Sequence, residues 1–225
     1  DGQGDSQGYI MDYLVDEVLQ QQPVEIQTFL LFTAILDELC APLCAALLRG
    51  VDAPGGTGPP ATSPAAGASE AQEALTYLEH ANLFINPLDP LHQWYHYDPL
   101  FADLLRHRLQ QSYPEQVSRL HVSASEWYAQ AGRAGPAVRH ALAALAGVQG
   151  RVLLLGCGAG RYLRALSRER PDLTVLGADL SRVALREARR RSRAHDLVCL
   201  DASLLPFADS VFDAVLFFDL LEHVP

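Results

Sequence analysis

The sequence predicts a mixed fold: a mainly α-helical first part that includes a small two-stranded wing, followed by an α/β part built on a parallel sheet. Three observations carry this. Apolar residues between Gly8 and Cys44 recur at helical spacing. Two β-prone runs, Leu83–Ile85 and Trp94–Tyr97, flank a turn containing Asn86-Pro87 and Asp89-Pro90. From Arg151 onward, short apolar runs alternate with helix-patterned stretches, as in strands joined by crossover helices.

With 225 residues, 49% of them hydrophobic and 20% charged, the chain can form two modest globular domains. It has no apolar run long enough for a membrane span and no basic leader, so the expected compartment is the cytoplasm. Its first residue, Asp1, is not Met, which leaves room for an upstream piece. The chain contains no lysine, which excludes lysine Schiff-base chemistry and the phosphate loop ending in Gly-Lys-Ser/Thr. The cysteines, Cys40, Cys44, Cys157 and Cys199, have no C-x-x-C spacing, so neither a disulfide framework nor a zinc site is expected. Cys40 and Cys44 read as small core residues one helical turn apart. The histidines form no H-E-x-x-H pattern, and no metal site is expected.

The elements of the first part follow in order. Residues 1–50 read as a helical segment, with Ile10, Tyr13, Leu14 and Val18 on one face and Ile26, Phe29, Leu30 and Thr33 on another. Pro23 separates the two helices. Residues 51–69 are rich in Gly, Pro and Ala and read as a flexible insertion. Ser69 with Gln72 has the spacing of a capping box for the next helix. Residues 70–112 hold the hairpin and a helix started by Asp98-Pro99, with Leu100, Leu104, Phe101 and Leu105 as its apolar positions. Residues 113–147 give two more helices, near Pro114–Ala131 and Pro136–Ala146. Helices with a two-strand wing make a winged-helix-like domain leading into a helical array.

These blocks resemble the middle of MalT-like, LuxR-type transcriptional regulators of the STAND ATPase class. The residues that carry the likeness are YIMDYLVDEVL, FLLFTAILDELCAPLC, ANLFINPLD with WYHYDPLFADLLRHRL, and LHVSASEWYAQAGRAGPAVRHALAAL. The resemblance covers residues 8–146 and implies a regulatory segment with a protein partner. Residues 1–147 hold 17 acids against 6 arginines, a balance of −11. A DNA-binding face needs cations to neutralise phosphates, so this half argues against direct DNA binding.

In residues 148–225, Val152–Leu155 is a continuous apolar run, expected of a strand buried on both faces. A helix follows from Arg161. A second strand ends at Asp179, Ser181 caps a helix carrying Val183, Leu185 and Ala188, a third strand ends at Asp201, and a fourth spans Ala214–Phe218. Such sheets bind ligands at the carboxyl ends of their strands, where Gly156–Gly160, Asp179 and Asp201 fall. The dinucleotide fingerprint G-x-G-x-x-G fails here, because its third glycine position is Arg161. The glycines instead stand as G-x-G-x-G, at Gly156, Gly158 and Gly160. Asp179 lies 23 residues beyond Gly156, where a carboxylate can accept both hydroxyls of a ribose and repels a 2′-phosphate. The arginine-rich stretch Arg186–His195 reads as a solvated outer helix pairing with the acidic half.

VLLLGCGAGRYL, VLGADLS and LVCLDASLLPFADSVFDAVLFFDLLEHVP resemble class I S-adenosylmethionine-dependent methyltransferases of the type 11 group. The resemblance implies a Rossmann-like fold, S-adenosylmethionine as cofactor and a small-molecule methyl acceptor. It places Gly156, Cys157, Gly158 and Gly160 against the methionine and ribose parts, Asp179 on the ribose and Leu180 beside the adenine. It places Asp201 and Ala202 at the adenine, and Phe218 with Leu221, Glu222 and His223 at the border of the methyl-donor pocket. His223 is the one catalytic candidate. Leu154 stands where the family usually has an acid. The family's sheet continues beyond a fourth strand, so the expectation is a domain truncated there, with Val215, Leu216 and Phe217 on an exposed edge. Two readings stay open: an S-adenosylmethionine-binding methyltransferase fused to a regulator-like segment, or a non-enzymatic regulatory or scaffold fragment.

Overall fold

The computed structural model describes residues 17–49, 64–145, 148–191 and 196–218. The chain divides into two compact units, Asp1–Ser123 and Ala124–Pro225.

The first unit holds helices α1 (Val24–Thr33), α2 (Ala41–Leu48), α3 (Pro64–His80) and α4 (Pro99–Ser112) and a hairpin of β1 (Ile85–Pro87) and β2 (Tyr95–Tyr97). Leu30, Phe32, Leu43, Leu75, Leu78 and Leu105 form its fully buried centre. The hairpin joins this centre through Leu39, which exchanges backbone hydrogen bonds of 2.8 and 2.9 Å with Tyr95. Of the predicted faces, Phe29, Leu30 and Thr33 are buried and Ile26 is half-buried; Ile10, Tyr13 and Leu14 lie outside the described residues. Cys40 and Cys44 are buried, as core residues should be.

Three local expectations need correction. The helix expected to start at Ser69 already begins at Pro64, so Ser69 lies inside it; proline suits a first turn and the alanines that follow have the highest helix propensity. Residues 51–63 of the expected insertion lie outside the described residues. The hairpin pairs Ile85–Pro87 with Tyr95–Tyr97, so Asn86-Pro87 belongs to a strand and not to the turn. The turn is made further on by the Asp89 carboxylate, which accepts the amides of Leu91, Gln93 and Trp94 at 2.7–3.2 Å. Asp98 caps α4 as read, accepting from the Leu100 and Phe101 amides, but Leu100 faces solvent and only Phe101 and Leu105 of the four apolar positions are buried.

Helix α5 (Pro114–Gln130) crosses the division between the units. In the second unit its last turns pack on α6 (Ala134–Ala144): the Ser125 hydroxyl donates to the Ala137 carbonyl at 2.8 Å, and Tyr128 stacks on His140. Helix α6 packs in turn on α7 (Arg161–Glu169), where Arg139 pairs with Glu169 at 3.6 Å.

The sheet holds β3 (Arg151–Leu155), β4 (Thr174–Asp179), β5 (Asp196–Cys199) and β6 (Ala214–Phe217), all parallel, in the order β5-β4-β3-β6. Helix α8 (Arg182–Arg191) connects β4 to β5. Val152–Leu155 is buried throughout, as a central parallel strand requires. One face carries Leu153, Leu155 and Ala178, packed against Leu176, Val198, Leu200, Ala202, Phe207 and Phe212. Gly177, on the other face, makes room for α7: a Cβ there would stand 2.9 Å from Leu163 Cδ1 and 2.8 Å from Leu197 Cδ2.

The third strand stops at Cys199, two residues short of the expected Asp201. Asp201 starts a turn of its own, accepting the amide and hydroxyl of Ser203. On β6, Val215 and Phe217 are 44% and 45% exposed, whereas Leu216 is buried, so the edge shows apolar side chains on one face only. Of the apolar residues read on α8, Leu185 and Ala188 are buried, whereas Val183 is 68% exposed. Arg190 and Arg191 pair with Glu187 of their own helix.

Candidate functional site

The glycine loop follows β3 and ends in α7. Gly156, Gly158 and Gly160 have φ of +67°, +52° and +81°, in the left-handed region that only glycine enters at little cost. Three such turns in five residues fold the backbone over the strand end. The loop is pinned at two points on β4. The Cys157 amide donates to the Ala178 carbonyl at 3.0 Å, and the Gly158 amide donates to Asp179 Oδ2 at 2.7 Å. The other carboxylate oxygen of Asp179 accepts the Ser181 amide at 2.8 Å. Each oxygen keeps a second lone pair for a further donor.

The glycines differ in what surrounds them. A Cβ on Gly160 would stand 3.2 Å from the Ala188 Cβ, so this glycine lets α8 approach. A Cβ on Gly158 would meet nothing within 4 Å. Open space above Gly158, beside a half-exposed carboxylate, is where a ligand can approach bare backbone. Leu180, beyond Asp179, is 69% exposed. Across the sheet, Cys199 is the register partner of Asp179 at the end of β5 and is exposed. Asp201 is exposed, and the Ser203 hydroxyl and amide hold its carboxyl below the usual range. Ala202 packs against the cluster of Leu153, Leu155 and Ala178.

On the other side of the loop, Phe218 follows β6 and is buried. Its ring stacks on Tyr162 at 4.2 Å between centroids. The Arg161 guanidinium lies 4.7 Å from the Tyr162 ring centre and donates to its hydroxyl at 2.9 Å. Sequence reasoning singled out Phe218 but not Tyr162, whose partner lies 56 positions away.

Cys157 faces inward against the Gly177 position, and burial, helped by the Asp179 charge, pushes its thiol up to about 12. It is no nucleophile at neutral pH. Leu154, which stands where the methyltransferases that the sequence resembles usually have an acid, is buried in register with Gly177 and Leu216. Asp219, Leu221, Glu222 and His223 lie outside the described residues. His92 and His96 sit on the hairpin turn and β2, and no group of three or more His, Cys, Asp or Glu is placed to hold a metal among the described residues. Nor is any helix there long and apolar enough to cross a membrane.

Comparison with known proteins follows the same division. Residues 15–117 match the MalT winged helix domain family, and residues 152–225 match a methyltransferase domain family. The first part of the chain is thus similar to a MalT winged helix domain and its last part to a methyltransferase domain. The HTH-type transcriptional regulator MalT of Yersinia enterocolitica is 32% identical over 136 residues, and MalT proteins of Yersinia pestis and Yersinia pseudotuberculosis match to the same extent. The match covers 60% of this chain and 13% of each relative, so the chain spans a small part of their length. Among solved structures, the CurJ carbon methyltransferase aligns over 86% of this chain and 63% of its own, at 12% identity and a TM-score of 0.32.

Proposed function

We propose that this protein binds S-adenosylmethionine at the glycine loop and transfers its methyl group to a small-molecule acceptor. The observation that supports this most is the joining of Gly158 to Asp179 beside open space. In this reading the Gly156–Gly160 backbone carries the methionine and ribose parts, Asp179 takes the ribose hydroxyls, Leu180 and Ala202 flank the adenine, and Asp201 accepts from its amine. Phe218, held by Tyr162, borders the methyl-donor end. When bound, S-adenosylmethionine supplies a methyl group already activated by its sulfonium. The protein's own task is then to orient the reactants and exclude water. His223 is the candidate base for acceptors that need one. The functional join falls near residue 148, after the regulator-like segments 1–50, 70–112 and 113–147. In this reading the compartment is the cytoplasm.

Calorimetric titration with S-adenosylmethionine tests the reading. Micromolar binding that disappears in Asp179→Ala supports it, and no heat at millimolar ligand removes it. The second reading, a non-enzymatic regulatory or scaffold segment acting through a protein partner, draws on the buried Leu154 at the family's acidic position. In that case the chain binds no cofactor, and its LuxR-type half carries the function.

A further inference from the structure

The surface of α8 is charged in a way the proposed chemistry does not use. Arg182, Arg186 and Arg189 recur at intervals of four and three, so they share one face of the helix. All three are exposed, and none has an ion-pair partner among the described residues, because Glu187 pairs with Arg190 and Arg191. Val183, the most exposed apolar residue of that helix, stands beside them. Three unneutralised guanidiniums next to an exposed aliphatic group suit a protein surface of opposite charge better than bare phosphates. The net charge of −10 further disfavours a polyanion.

The first unit offers such a surface. On α3, Glu70, Glu73 and Tyr77 recur at intervals of three and four, all exposed, and neither acid has a partner among the described residues. The separation of Glu70 from Glu73 along the helix, about 4.5 Å, is that of Arg186 from Arg189. Tyr77 offers apolar area where Val183 needs it. We propose that the arginine face of α8 docks on the Glu70–Glu73 face of α3 in a second copy of this chain. The contact joins different patches, so it closes only if each copy gives one of each, and otherwise propagates.

Sedimentation velocity of the full chain tests this. Self-association is expected at about 20 mM salt and should weaken steeply by about 500 mM. Arg186→Glu/Arg189→Glu and Glu70→Arg/Glu73→Arg should each weaken it roughly tenfold or more, since like charges then face each other. Mixing the two variants restores opposite charges at every contact and should restore association. That recovery excludes a folding defect as the cause of the loss. A monomer at low salt, or association indifferent to both reversals, overturns the proposal. So does a monomeric wild type that binds a single-stranded oligonucleotide through these arginines, which would assign the face to nucleic acid.

Discussion

The Gly158 amide and the Asp179 carboxylate meet at 2.7 Å, tying the middle of the glycine loop to the tip of the neighbouring strand. The bond has an ionised acceptor, and such bonds are the stronger kind. It shapes the loop without a ligand, which under the proposed function lowers the ordering cost of binding one.

Asp179→Ala removes the acceptor of two backbone amides, those of Gly158 and Ser181. Because the site is half-exposed, water replaces part of the loss, and the expected cost is about 1–2 kcal/mol in a urea titration. Asp179→Asn keeps one acceptor oxygen and should fall between Ala and wild type.

Three glycine substitutions should rank by their surroundings. Gly158→Ala meets open space and carries only the cost of a positive φ, about 1 kcal/mol. Gly160→Ala adds a 3.2 Å contact with the Ala188 Cβ to the same backbone cost. Gly177→Ala has ordinary φ but presses on Leu197 and Leu163 below 3 Å, an overpacking cost of about 1–3 kcal/mol. Denaturation midpoints should therefore put Gly158→Ala closest to wild type.

Thiol chemistry should be selective. Cys199 is exposed, while Cys40, Cys44 and Cys157 are buried. Iodoacetamide at pH 8 should label Cys199 first, as read by mass spectrometry of the peptides. Burial and the Asp179 charge push the Cys157 thiol up to about 12, from an ordinary value of 9.0. The native state thus holds this proton more tightly than the unfolded chain. Its contribution is complete below about pH 9 and is lost as pH rises from there toward 12. Cys157→Ser should flatten that alkaline limb of the stability profile.

Asp98→Ala leaves the first amides of α4 without their side-chain acceptor. A loss of about 1 kcal/mol is expected from thermal melts followed by circular dichroism. Asp98→Ser should recover most of it.

Much of this molecule was legible in its residues. The apolar run Val152–Leu155, the glycine spacing and the acid ending β4 are local signals, and the parallel sheet follows from them. So does the Asp98-Pro99 helix start, because a cap acts within three residues. Errors fell where two local signals competed. Asn86-Pro87 looks like a turn, yet pairing with Tyr95 and His96 draws it into a strand, which proline tolerates on an edge. Asp201 looks like a strand end, but its own turn with Ser203 begins after Cys199.

By itself the sequence determined the element types, the order of helices and strands, and the strand ends where glycines and carboxylates would gather. Periodicity, capping and backbone freedom act over a few residues, so they can be read from neighbours in the chain. Only the tertiary structure decided that Asp179 grips Gly158, that Tyr162 stacks on Phe218, and that α6 braces α7. Each of these joins residues 21 to 56 positions apart, and such contacts depend on how whole elements pack, which no local pattern encodes.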